Sequence, residues 1–410
     1  MNKRLFLSAL PVALSLGTAW AVRGKFGHEQ GAAWAGAIGA LAVLLVARRS
    51  DWYNKAFTIA LAAAFGWGIG GMISYGVVVG YGRGGEFGNV YYGLAMLFVI
   101  GALYGFLGGG LFGLALADTP GNRIKWHSLI VEMTVFGLLT YAFLINQLEW
   151  FMTPPRSEMW AACLGAAIAV AWFCVRNKQR PPLTVAAWSA IGAGFGFAFG
   201  NFLQVLGSAL HIPFNFWNVM EYAIGFFGGL GMAYGTLISA WPASEERRPG
   251  NANLLPILIV ALLIPFIVWD QSFVTDRIRN VVSGGVSDGA VLTIKLMAIA
   301  SILVVAAVIF DRYYLKAKRD HASYDHTSIK KMFLLSLVLY TFLSFLVTGL
   351  YTHPLEQYLY LVNIAIVLYM LPRLKENTVT QKDDARRWFA ATALVMLVLV
   401  LLAVVAISSK

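Results

Sequence analysis

Thirteen mostly apolar stretches divide the 410 residues, with short loops between them. They lie at about 5–22, 30–47, 56–77, 92–116, 127–147, 159–175, 184–208, 217–241, 253–270, 289–311, 331–350, 356–373 and 387–408. Each approaches the roughly 20 residues that a helix needs to cross about 30 Å of hydrocarbon. The expected fold class is therefore all-α, a polytopic transmembrane helical bundle of about 13 spans. Charge usage agrees. Only 12% of residues are charged, against about 25% in an ordinary soluble chain, so the missing charge points to lipid as the main solvent. The intervening stretch 271–288 is too polar and Gly-rich to span and suits a short interfacial helix.

The net charge of +11 does not point to nucleic acid, because the basic residues sit in short loops between apolar segments. They sort by side. With the N-terminus cytoplasmic, 23 Lys and Arg fall in inner segments and 7 in outer ones, leaving Lys295 within a span. That asymmetry follows the positive-inside rule and places the C-terminus outside. The expected location is a bacterial cytoplasmic (inner) membrane, with the lipid bilayer as the main partner. Met1–Ala21 also has the build of a signal peptide, ending in Ala19-Trp20-Ala21. A retained first helix is preferred, because the repeat described next gives it a counterpart; cleavage would leave twelve spans.

Three blocks recur in order. Trp34-Ala35 through Gly39-Ala40 matches Trp160-Ala161 through Gly165-Ala166. Ala63-Ala64-Phe65-Gly66 with Gly70 matches Ala193-Gly194-Phe195-Gly196 with Gly200. Gly105-Phe106-Leu107-Gly108-Gly109 matches Gly225-Phe226-Phe227-Gly228-Gly229. These blocks suggest a duplicated four-helix unit in parallel orientation. The domains expected are then 1–125 (spans one to four), 126–250 (spans five to eight) and 251–410 (spans nine to thirteen). Small residues four apart in the blocks put smooth faces on their helices, suited to close packing or to sliding.

Ionisable and amide groups at membrane depth are costly, which makes them functional candidates. Asn201 and Gln204 share a face of span seven, Glu221 enters span eight, and Lys295 lies in span ten. His28 and Glu29 follow span one at its outer end, and Glu132 lies in the inner part of span five. Glu29, Asn201, Gln204 and Glu221, with His28 and Lys295, are expected to converge on one cavity open to the outer side. A lone Glu221 there would titrate above its ordinary value unless Lys295 or Arg23 lies near it. Glu132 suits proton relay, helix pairing or snorkelling. His28-Glu29 begins like a zinc-protease motif, but Ala32 stands where the second His belongs. Cys163 and Cys174 have neither metal nor disulfide spacing. No cofactor or metal is expected.

The pattern leads to a secondary transporter or permease for a small polar solute, of the sugar or organic acid type and ion-coupled. The alternative is a membrane-embedded transferase acting at the outer face on a lipid or lipid-linked substrate, with Glu29 as general base beside His28. The possible partners are the solute and a second copy of the chain.

Overall fold

A computed structural model describes residues 3–25, 30–242, 253–281, 287–349, 354–374 and 385–409. Among these the structure is all-helical, without strands. The principal helices are α1 (Lys3–Lys25), α2 (Gly31–Ala47), α3 (Ala56–Gly71), α4 (Gly76–Gly82), α5 (Phe87–Ala117), α6 (Trp126–Gln147), α7 (Met159–Arg176) and α8 (Arg180–Ala209). They continue as α9 (Phe216–Ile238), α10 (Leu254–Ser272), α11 (Thr275–Val281), α12 (Asp288–Arg319), α13 (His326–Thr348), α14 (Leu355–Arg373) and α15 (Ala385–Ser408). Ten of them are long and apolar enough to cross a membrane, which is the build of an integral membrane protein.

Three of the thirteen expected segments fall outside those ten, each for a physical reason. Helix α2 has 17 residues. Helix α9 carries Glu221 and a run of glycines, which lower its apolar character. The third expected span, 56–77, is not one helix. It stops at Gly71, and α4 leaves at 67° to α3. The stretch 271–288 contains the short helix α11, as its polarity suggested.

The core of the bundle is a ring of six helices, packed in the cyclic order α1–α2–α3–α5–α8–α9. Glycine sets the spacing of these contacts. A Cβ at Gly70 of α3 would lie 2.8 Å from the Tyr104 Cα of α5. One at Gly109 of α5 would lie 2.5 Å from the Ser189 Oγ of α8, and one at Gly200 of α8 2.7 Å from the Met220 Cα of α9. In lipid, where apolar side chains gain nothing by leaving the solvent, such backbone proximity supplies the packing energy. Helices α6, α12 and α15 have mostly unburied outer faces and lie at the periphery.

This packing yields a prediction. Gly109→Leu and Gly200→Leu should each lower stability in detergent by about 1–3 kcal/mol, the usual cost of overpacking. Ala390→Leu, on the exposed face of α15, should leave the thermal midpoint unchanged. Equal midpoints for all three variants would remove glycine packing as the basis of the core.

Candidate functional site

The break between α3 and α4 is where the bundle buries an Arg–Glu ion pair. Four residues, Met72 to Tyr75, leave the helical path, and carbonyls that would have continued the ladder need other donors. Arg23 Nη2 donates to Gly71 O at 3.2 Å, and the Tyr104 hydroxyl donates to Ile73 O at 3.3 Å. Irregular backbone at membrane depth is tolerated where protein groups satisfy it or where it lines a wet cavity. Both conditions hold here.

Arg23 lies near the C-terminal end of α1 and is fully buried. Its Nη1 stands 2.8 Å from Glu221 Oε2, and its guanidinium carbon lies 4.9 Å from the Trp20 ring centroid. Glu221, one turn into α9, is itself 3% exposed and also accepts a short hydrogen bond from the Tyr75 hydroxyl. One ion pair thus joins α1, the α3–α4 break and α9. Gly24 makes room for it, since a Cβ there would lie 2.7 Å from Glu221 Cγ. Beneath the pair, toward the Lys3 end of α1, lies an aromatic layer. Trp20 sits 5.1 Å from Trp67 and 5.6 Å from Tyr104, and Phe197 sits 5.0 Å from Tyr75 and 5.9 Å from Tyr104.

Above the pair opens a cavity of about 590 Å³. Its floor is Gly24, Glu221 and the irregular segment Gly71–Gly76. Its walls are Asn215, Trp217 and Asn218 at the start of α9, and Arg156 with Ser157 from the loop before α7. Each wall is held from behind. The Asn218 amide donates to Ala21 O at 2.8 Å and accepts from the Tyr360 hydroxyl at 2.8 Å. The Asn215 side chain caps α9 at Asn218 N (3.2 Å) and donates to Glu356 at 3.0 Å; Glu356 in turn pairs with Lys25. The loop that carries Arg156 is folded around the buried carboxylate of Glu158. That carboxylate accepts from Met152 N at 2.9 Å, from Thr153 N at 2.9 Å and from Trp160 Nε1 at 2.7 Å. The cavity therefore offers amide, hydroxyl and guanidinium groups beside one indole, over a neutralised ion pair. That suits a solute with several hydrogen-bonding groups. Among the described residues no three His, Cys, Asp or Glu side chains gather closely enough to hold a metal ion.

The candidates read from sequence are spread around this centre. Glu221 lines the cavity, with Arg23 beside it, so it is not the lone carboxylate that the sequence left open. Asn201 and Gln204 do share a face of α8, joined at 3.1 Å from Nδ2 to Oε1. They lie behind the cavity, where Asn201 reaches Val79 O of α4 at 3.4 Å and packs on Gly82. Lys295 lies apart, donating to the Thr275 hydroxyl of α11 at 2.9 Å. Glu132 is also separate, paired at 2.5 Å with Arg176, an arrangement that pins α6 to α7. His28 and Glu29 lie outside the described residues. Sequence reasoning named Arg23 only as a possible neighbour of Glu221, and it passed over Tyr75, Arg156 and Glu158. The signal for Arg23 and Tyr75 was the run Gly70-Gly71 with Gly76, a glycine-interrupted span of the kind that marks a discontinuous helix. No family model, no curated protein and no solved structure matches this chain, and its site is defined by its own geometry: a polar cavity over a buried Arg–Glu pair at a broken helix.

Proposed function

We propose that the chain is an ion-coupled secondary transporter for a small polar solute, with the cavity at the α3–α4 break as its binding site. The observation that carries this reading is the break itself. Transporters commonly bind solute at unwound segments of discontinuous helices, where backbone groups become available to the ligand. Here the unwound Met72–Tyr75 segment, with Gly71 and Gly76 at its edges, lines the cavity floor. The aromatic layer below would be the closed inner barrier, and the cavity the outer vestibule. In this reading α2, the α3–α4 pair and α9 join the ten longer helices to give thirteen spans in a bacterial inner membrane. The N-terminus is cytoplasmic, as the 23-to-7 distribution of basic residues favours.

The reading includes the duplicated unit. Its support is that matched glycines meet matched helices. Gly66 of α3 abuts the backbone of Leu107 in α5, and its counterpart Gly196 in α8 abuts Ala223 and Phe227 in α9. Phe227 is the counterpart of Leu107. Gly70 meets Tyr104, whereas Gly200 meets Met220, one turn away from the equivalent position. Two copies displaced by a helical turn would give the halves different depths, as an asymmetric resting state requires.

Ser74 tests the proposal without knowledge of the solute. A single cysteine at Ser74, in a chain with Cys163→Ser and Cys174→Ser, should react with a membrane-impermeant thiol reagent from outside in intact cells. It should also react from the opposite side in inside-out vesicles. Labelling from both sides is what alternating access requires. Labelling from outside alone, in energised and de-energised membranes alike, would end the transport reading and leave the transferase, which needs only one opening.

A further inference from the structure

We infer that a cleft at the end of the bundle opposite the cavity is a binding site for an anionic phospholipid. The cleft, of about 860 Å³, lies between the first turns of α1 and the last turn of α14. Lys3, Arg4 and Arg373 stand on its rim, and Leu7, Met370 and Leu374 line it. Among the described residues no acidic side chain lines it. The three cations line the cleft beside the last carbonyls of α14, which would otherwise repel an anion, and two of those carbonyls are taken up by arginines. Arg373 donates to Tyr369 O at 2.6 Å, lying 3.6 Å from the Tyr369 ring centroid. Arg48, the residue that ends α2, donates to Leu371 O at 3.2 Å. Two acceptors at the helix end are thereby answered by arginines, and the basic side chains dominate the rim.

The occupant is fixed by the pairing of that basic rim with apolar walls. A soluble phosphate or carboxylate would be served by the rim and would leave the leucines and methionine bare. A molecule with an anionic head and hydrocarbon tails satisfies both. Leu7 and its neighbour Phe6 are 41% and 38% exposed on α1, which extends the apolar wall outward along the helix. Basic pockets between helices on the cytoplasmic side are a recurrent headgroup site. The Lys3 end of α1 is the cytoplasmic end by the distribution of basic loops, and the site does not depend on the transport reading.

The test uses the purified full chain in neutral detergent, with phosphatidylglycerol or phosphatidylcholine added and the retained lipid counted by native mass spectrometry. The chain should retain phosphatidylglycerol in preference. Lys3→Gln with Arg373→Gln should weaken that retention about tenfold or more, because each basic group near the headgroup contributes separately. Both residues are exposed, so the variant should fold. Arg373→Lys should keep the preference, and Lys330→Gln with Lys331→Gln, at the start of α13, should also keep it. Undiminished preference in the Lys3/Arg373 variant would overturn the inference. So would displacement of the lipid by an equal concentration of glycerophosphoglycerol, which would mean that the apolar walls contribute nothing.

Discussion

Arg23→Met should lower the stability of the purified protein by about 3–5 kcal/mol, the cost of leaving one member of a buried ion pair without its partner. The remaining group would be Glu221, 3% exposed, with only the Tyr75 hydroxyl to answer its charge. Gly71 O would lose its donor at the same time. Glu221→Gln should also be costly, since it leaves the fully buried Arg23 guanidinium without a carboxylate, although the amide can still accept from Tyr75 and Arg23 keeps Gly71 O. The informative variant is the double one, Arg23→Met with Glu221→Gln. If the pair is a true unit, the double variant should be more stable than Arg23→Met alone, because the isolated carboxylate has gone. Thermal unfolding in detergent would measure all three. Strictly additive losses would show that Arg23 and Glu221 act separately, despite the 2.8 Å between them.

Glu158→Ala should be the second large loss, about 2–4 kcal/mol, because it leaves several buried donors with no acceptor. Those donors are Met152 N, Thr153 N and Trp160 Nε1. Glu158→Gln should not rescue fully. A carboxylate offers acceptors on both oxygens, whereas an amide turns an N–H toward one of the donors. The loop would then release Arg156 and Ser157 from the cavity wall. Limited proteolysis should therefore cut between Leu148 and Ser157 in Glu158→Ala and spare the unaltered chain. A protease-resistant loop with an unchanged thermal midpoint would mean that Glu158 does not organise it.

The sequence carried the fold further than the site. Span length and loop charge depend on local composition, so the helices could be placed from residues close to one another. The exception, at 56–77, is instructive. Its glycines are compatible with a continuous packed helix or with a break, and the outcome depends on Arg23 and Tyr104 taking the freed carbonyls from other helices. The partnership of Asn201 with Gln204 was legible because three residues on a helix share a face. Which neighbour that face meets was not, since α4 exists only because of the break. Arg23 was the hardest to read. It ends an apolar stretch, where a basic residue ordinarily reaches for water, and its partner is 198 residues away.

That separation also bears on how the chain is made. At about 5–20 residues per second, Glu221 leaves the ribosome roughly 10–40 s after Arg23. Until then the guanidinium has no carboxylate from α9, and hydrocarbon is a poor place for it to wait. Helix α1 therefore cannot be fully seated while only the helices between it and α9 have been made. It can take its final place only when α9, the ninth principal helix, has emerged to receive it.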